Sequence, residues 1–134
     1  MTQIKIQTPD DWHLHFRDGD MLNETVPATA RCFKRAIVMP NLVPPVINAK
    51  MVEEYRQHIL ASRPEGSDFE PLMTLYLTDN TRPSEIDIVV QTEPIKALKY
   101  YPVGTTTNSD YGVTDIKKVY LVLESMMKNQ LPLL

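Results

Sequence analysis

Residues 35–59, RAIVMPNLVPPVINAKMVEEYRQHI, hold the pattern that decides the fold. The apolar run 35–40 has the length of a buried strand, and Pro40 closes it. Asn48 then occupies a helix N-cap position. Apolar residues follow with a period of about 3.6 residues, which predicts a helix that ends near Pro64. A buried strand followed by an amphipathic helix is the repeating unit of a parallel α/β sheet.

The same alternation runs along the whole chain. Before residue 35, the chain predicts a short extended start at 4–6, a strand at 10–16 and a helix at 21–33, with Pro27 in the first turns of that helix or at a kink. After the opening stretch it predicts a strand at 70–78, a short helix at 84–90 and a strand at 95–102. A last helix, capped by Thr114 and with Ile116, Val119, Tyr120, Leu123 and Met127 on one face, precedes the start of one more apolar run at 131–134. This pattern fits both a (β/α) barrel and a doubly wound open sheet.

Composition narrows the functional classes. The chain has 134 residues, 43% of them hydrophobic, and a net charge of −3, which predicts one domain and argues against a nucleic-acid or membrane-surface protein. No apolar run approaches the ~20 residues of a spanning helix, and the first residues lack a signal-peptide core. Cys32 is the one cysteine, so a reducing cytoplasm is the expected compartment.

Polar residues collect where the predicted strands end. The four predicted strands contribute, in order, His13 with His15 and Arg17; Asn41; Thr78 with Asp79; and Lys99. Barrel enzymes build their active sites at this edge. An open sheet usually adds a glycine-rich phosphate turn, and no GxGxxG or GxxxxGK[ST] motif occurs. The placement of polar residues therefore favours a barrel.

His13 and His15 lie two residues apart in a predicted strand, so both imidazoles face the same side and can converge on one ion. Neutral imidazole is a good zinc ligand. H-x-H alone nevertheless favours two ordinary strand histidines facing a polar cavity, because zinc normally needs three or four protein ligands.

Lys99 is most simply a solvated strand-end charge. An ammonium beside a metal would be repelled, but reaction with carbon dioxide would convert the amine into a carbamate, an anionic oxygen ligand able to bridge two metals. We expect Lys99 to approach a common point with His13 and His15, on adjacent strands of the sheet.

Three further features suggest a substrate site. Arg17 offers a planar fork for a carboxylate, the alternative being a surface pair with a neighbouring aspartate. Asn41 could share that carboxylate or be a simple turn residue. The hydroxyl-rich loop at 105–109 is either an exposed linker or a lid, and a lid should be mobile over 103–111 without ligand. His58 is predicted to lie on the surface.

Several segments together resemble one family. WHLHFRDG (12–19), AIVMPNLVPPV (36–46), PLMTLYLTD (71–79), KYYPVGTTTNSDYGV (99–113) and LPLL (131–134) resemble signatures of the dihydroorotases, in the bacterial and fungal homodimeric branch of the amidohydrolase superfamily. The resemblance covers nearly the whole chain. It implies the first four to five βα units of a TIM-like (β/α)8 barrel and the reversible cyclisation of N-carbamoyl-L-aspartate to L-dihydroorotate, a step of pyrimidine synthesis.

The resemblance also implies roles for individual residues. His13 and His15 would ligate the more buried of two zinc ions, and carboxylated Lys99 would bridge them. Arg17 and Asn41 would hold the substrate carboxylate. Thr106 and Thr107 would belong to the lid that closes over it.

The length of the chain qualifies this expectation. A full barrel runs to ~250 residues, so residues 1–134 are expected to form a partial barrel domain that stops at the fifth strand. The resemblance places two further ligand histidines and a catalytic aspartate beyond Leu134, so the isolated chain is expected to be inactive. The resemblance also implies a homodimer at full length. The alternatives are a hydantoinase-like cyclic-amide hydrolase and an inactive remnant that serves only as an assembly or binding partner.

Overall fold

A computed structural model describes residues 2–134 as one parallel sheet covered by helices. The four strands, β1 Asp10–Leu14, β2 Arg35–Val38, β3 Glu70–Leu77 and β4 Ile95–Tyr100, pair in the order β1-β2-β3-β4. A helix follows each strand: α1 Leu22–Ala30, α2 Ala49–Ala61, α3 Pro83–Val89 and α4 Tyr120–Lys128. The predicted α/β fold with parallel strands is confirmed, and the carboxyl ends of all four strands lie at one edge.

The helix predicted from the opening stretch forms as expected. The side chain of Asn48 caps α2 by accepting a hydrogen bond from the backbone N–H of Met51 at 3.0 Å. Val52, Tyr55 and Ile59 are the buried residues of this helix, spaced as the apolar period requires. The hydrophobic stripe of α2 therefore packs on the sheet, as predicted.

The predicted extended start at 4–6 does not join the sheet. No strand forms there, and the side chains of Ile4 and Ile6 are exposed. Only the backbone carbonyl of Pro9, at the end of this segment, bonds to the neighbouring chain, through the N–H of Lys34 at 2.9 Å. The two apolar residues contribute nothing to the core of residues 2–134.

The predicted start of the last helix is wrong. Asp115, not Thr114, caps it, and its carboxylate accepts from the N–H of Lys117 at 2.9 Å. A 3-10 helix over Ile116–Val119 precedes α4. Because a 3-10 helix has about three residues per turn, the inward face shifts along the sequence. The residues buried there are Val119, Val122 and Met126, whereas Tyr120 and Met127 are exposed.

A fifth strand begins beside β4 near residue 133, as the apolar run 131–134 predicted. The N–H of Leu98 donates to Pro132 at 3.0 Å, the N–H of Leu134 donates to Leu98 at 2.9 Å, and the N–H of Tyr100 donates to Leu134 at 2.9 Å. This pairing is parallel. The sheet thus extends in chain order, which is the order in which strands follow one another around a (β/α) barrel.

The core lies between the sheet and its covering helices. Seven of the eight residues of β3 are buried, and neighbouring strands flank it on both sides. Across residues 2–134, no helix is both long enough and apolar enough to span a bilayer.

Asp79 joins the end of β3 to the segment before α4. Its carboxylate accepts from the N–H of Thr114 at 2.9 Å, from the hydroxyl of Thr114 at 2.6 Å and from the ammonium of Lys118 at 2.7 Å. The bond from Lys118, followed by the two from Thr114, lowers the pKa of Asp79 to about 2. Asp79 therefore anchors the chain just beyond the hydroxyl-rich loop.

We predict that Asp79→Asn makes the protein less stable at neutral pH and flattens the acid side of its stability profile. The folded-state pKa lies below the ordinary value of 3.8. The stabilising contribution is thus complete above that value and is lost as the pH falls towards about 2. Urea unfolding of the full-length protein at pH 7 and pH 3 measures it. Asp87→Asn, on the exposed face of α3, is the matched control, and equal pH profiles for the two variants would contradict the prediction.

Candidate metal and substrate site

The two histidines of the H-x-H motif converge. Strand β1 ends at Leu14, so His15 lies one residue beyond it, yet the Nε2 atoms of His13 and His15 are 3.1 Å apart. Two nitrogen ligands of one tetrahedral zinc ion would lie about 3.3 Å apart, given zinc–nitrogen bonds of roughly 2.0–2.1 Å. The separation also suits a single N–H···N bond between the rings. The pair therefore fits a shared metal without requiring one.

The surroundings of His15 lower its pKa. Partial burial lowers its pKa, and the neighbouring charges of Arg17, His13 and Lys99 lower it further, whereas the hydrogen bond to Asn41 opposes the shift. Neutral imidazole is the form that binds metals. The environment thus favours the ligand state of His15 at neutral pH.

Lys99 reaches the same face from farther across the sheet than expected. The expectation of adjacent strands was wrong, since β2 and β3 lie between β1 and β4. Its ammonium lies 5.1 Å from the centre of the Tyr101 ring, and partial burial lowers its pKa. Within residues 2–134, no three His, Cys, Asp or Glu side chains group as a metal-binding cluster. The imidazoles of His13 and His15 converge, and the amine of Lys99 lies on the same side of the sheet.

Arg17 follows the histidines in a strained conformation. Its φ of 64° is uncommon for a residue with a side chain, and the hydroxyl of Tyr55 donates to its backbone oxygen at 2.7 Å. Its guanidinium donates to the backbone oxygen of Asn41 at 3.3 Å and keeps its other donors. Sequence reasoning missed Tyr55, because a tyrosine in the apolar stripe of a helix gives no sign that its hydroxyl reaches another element.

Asn41 differs most from its expected role. It is buried, with 1% of its surface exposed. Its amide oxygen lies 2.8 Å from Nδ1 of His15, and its amide nitrogen donates to the backbone oxygen of Thr107 at 3.0 Å. The amide therefore bridges the histidine pair and the hydroxyl-rich loop.

The loop is docked on the site. Asn108 donates from its side chain to the backbone oxygen of Asn41 at 3.0 Å, and the hydroxyl of Tyr76 donates to the backbone oxygen of Asn108 at 3.2 Å. The side chains of Thr106 and Thr107 remain exposed above it. Sequence reasoning had grouped Asn108 with the hydroxyl residues of the loop and had given Tyr76 no role. Whether the loop is mobile without ligand remains a prediction.

A cavity of about 390 Å³ opens beside Arg17, and neither His13 nor His15 lines it. Its walls come from the loop after β1, the loop after β2, helix α2 and Asn108. His58 lines it as an exposed side chain, with Nδ1 3.1 Å from the carboxylate of Asp18. The predicted surface position of His58 is confirmed.

Known proteins resemble this chain in sequence and fold. A curated dihydroorotase of Shewanella pealeana is 61% identical over all 134 residues, which cover 39% of that protein. Over its whole length, the chain is therefore similar to part of a dihydroorotase. The crystal structure of dihydroorotase from Campylobacter jejuni superimposes with a TM-score of 0.85 at 36% identity, over 97% of this chain and 40% of that one. No protein-family model matches the chain.

A second dihydroorotase structure is that of Saccharomyces cerevisiae in complex with 5-fluoroorotic acid, with a TM-score of 0.84 at 32% identity over 93% of this chain and 34% of that one. An L-hydantoinase of Arthrobacter aurescens shares the fold alone, at 12% identity, with a TM-score of 0.67 over 94% of this chain and 28% of that one. The chain spans about two fifths of the length of the dihydroorotases it matches, consistent with a portion of a barrel.

Proposed function

We propose that residues 1–134 form the first part of the barrel domain of a dihydroorotase, which interconverts N-carbamoyl-L-aspartate and L-dihydroorotate in pyrimidine synthesis. The observation that carries the proposal is the 3.1 Å pair of His13 and His15 beside Arg17, in a chain 61% identical to a dihydroorotase. The proposed complete enzyme is a cytoplasmic homodimer.

The proposed cofactor is a pair of zinc ions, held in this chain by His13, His15 and Lys99. When bound, zinc supplies Lewis acidity towards an amide carbonyl and lowers the pKa of water. Lys99 would enter the site as a carbamate: its neutral amine nitrogen bonds to the carbon of carbon dioxide, and one proton is released. The lowered pKa of Lys99 supports this role, because only the neutral amine carries the lone pair.

The substrate would be held by its carboxylate. Arg17 donates one N–H to the backbone oxygen of Asn41, and its other guanidinium N–H groups are left for a bidentate contact with a carboxylate. Asn41 would add at most the second hydrogen of its amide nitrogen, since the first goes to Thr107. Thr106 and Thr107 would close over the ring from the docked loop. A hydantoinase-like activity is not favoured, because the likeness to the L-hydantoinase is confined to the fold.

Replacing Arg17 by alanine in the full-length protein tests the substrate class. Dihydrouracil is the matched substrate, since it is dihydroorotate without the carboxylate. We expect the wild type to prefer dihydroorotate, and Arg17→Ala to lose roughly 10- to 150-fold in kcat/KM towards it, the range of a charge-assisted contact worth about 1.5–3 kcal/mol. Bound zinc should be unchanged, and Arg31→Ala, at the exposed end of α1, is the control.

Two results would contradict the proposal. Absence of dihydroorotate hydrolysis by the zinc-loaded full-length protein would remove the dihydroorotase function. Equal losses on dihydroorotate and dihydrouracil would remove Arg17 from carboxylate binding.

A further inference from the structure

Asn41 forms hydrogen bonds with two parts of the site. One side of its buried amide meets His15, and the other meets the backbone of the hydroxyl-rich loop at Thr107. Its own backbone oxygen receives bonds from Arg17 and from Asn108. One residue, three positions after β2, thus contacts both the segment after β1 and the loop after β4.

The chemistry of the groups fixes the donor and the acceptor of each hydrogen bond from Thr107 through Asn41 to His15. The backbone oxygen of Thr107 can only accept, so the atom of Asn41 that faces it must be the amide nitrogen. The amide oxygen of Asn41 then faces His15, and it too can only accept. His15 must therefore carry its hydrogen on Nδ1, which leaves the lone pair on Nε2, 3.1 Å from Nε2 of His13.

We propose that Asn41 is a positioning residue that sets the tautomer of His15 and thereby links docking of the loop to metal binding at His13 and His15. This deepens the proposed function and rests on it. Metal-ligating histidines usually donate their second ring N–H to an oxygen that fixes the ring, and losing that oxygen typically costs 10–100-fold in metal affinity. In this chain the oxygen belongs to an amide whose own orientation depends on the loop.

The link must act in both directions. If the docked loop favours the metal-binding tautomer, then metal must favour the docked loop by the same factor. Zinc should therefore protect the backbone of residues 105–109 from hydrogen exchange. A residue that only filled space at this position would not produce that protection.

Two substitutions at Asn41 separate the contacts. Asn41→Ala removes both bonds. Asn41→Asp keeps an acceptor for His15 but places an oxygen against the oxygen of Thr107, so it should free the loop and retain the ring. Asn80→Ala is the matched control, an exposed asparagine after β3 whose side chain makes no hydrogen bond within residues 2–134.

The first measurement uses metal-free full-length protein labelled with 15N-histidine. The ring nitrogen shifts of His15 should report hydrogen on Nδ1 in the wild type, in Asn41→Asp and in Asn80→Ala, and a mixture of tautomers in Asn41→Ala. An unchanged tautomer in Asn41→Ala would overturn the positioning role. Should that variant not fold, loss of the Nδ1–H tautomer in Asn41→Asp would overturn it instead.

The second measurement adds zinc to the same proteins. Chelator competition should give a 10–100-fold loss of zinc affinity in Asn41→Ala and less than a tenfold loss in Asn41→Asp. Zinc should slow backbone hydrogen exchange at 105–109 in the wild type but not in Asn41→Ala. If zinc does not change the hydrogen-exchange rate of the loop in the wild type, the link is overturned. Failure of the full-length protein to bind zinc would defeat the proposed function, and the metal-free tautomer would still decide the role of Asn41.

Discussion

Replacing His15 by alanine in the full-length protein is expected to lower zinc affinity by more than about 100-fold and to remove turnover of dihydroorotate. Losing a partner that merely orients a metal ligand costs 10–100-fold, so loss of the ligand itself should exceed that range. His13→Ala should have a similar effect, because its Nε2 lies 3.1 Å from that of His15 and would share the same ion.

A double-mutant cycle makes the expectation specific. If both rings hold one ion, the double variant should bind zinc hardly more weakly than either single variant, because residues that share a partner are not additive. His58→Ala is the matched control, since that ring is exposed and, among residues 2–134, hydrogen-bonds only to Asp18. Losses that simply add would contradict a shared ion, and normal zinc binding by His15→Ala would remove the histidine pair from the metal site.

The strands were predictable because their signals are local. An apolar run closed by proline, as at 35–40, or a run such as 70–78 places a strand to within one or two residues of the observed β2 and β3. The cap of α2 was equally accessible, because Asn48 bonds to an N–H only three residues away. Local hydrogen bonds and burial period are properties that a single segment carries with it.

The features that sequence reasoning missed depend on distant partners. Thr114 does not cap the last helix: its hydroxyl donates to Asp79, 35 residues earlier, and accepts from the ammonium of Lys118 at 2.6 Å. The amide of Asn41 is committed to residues 26 and 66 positions away. No pattern around either residue encodes those contacts. The order of the strands in the sheet, which separates Lys99 from the histidines by two strands, is likewise a tertiary property.

Gly112 illustrates how tightly the loop is fitted. A Cβ on Gly112 would lie 2.2 Å from the backbone oxygen of Tyr101 and 3.0 Å from that of Ser109. Neither atom can rotate away as a side chain could. The next residue, Val113, donates its N–H to the same oxygen of Tyr101 at 2.9 Å, and Val103 donates back to Val113 at 3.2 Å, so the two ends of the loop are paired at this point.

We therefore expect Gly112→Ala to separate the ends of the loop and to destabilise the full-length protein by about 1–3 kcal/mol or more, as overpacking against fixed atoms does. The loop should lose its protection from hydrogen exchange over 103–111, and zinc affinity should fall if Asn41 links the loop to His15. Gly104→Ala is the control in the same loop. Its Cβ would meet nothing within 4 Å, so it adds only the strain of a left-handed φ of 74°, about 1–2 kcal/mol. Equal exchange rates over 103–111 in the two variants would show that the contact with Tyr101 does not hold the loop closed. Slower exchange in Gly104→Ala than in Gly112→Ala, at comparable global stability, would locate the closure of the loop at the backbone contact between Gly112 and Tyr101.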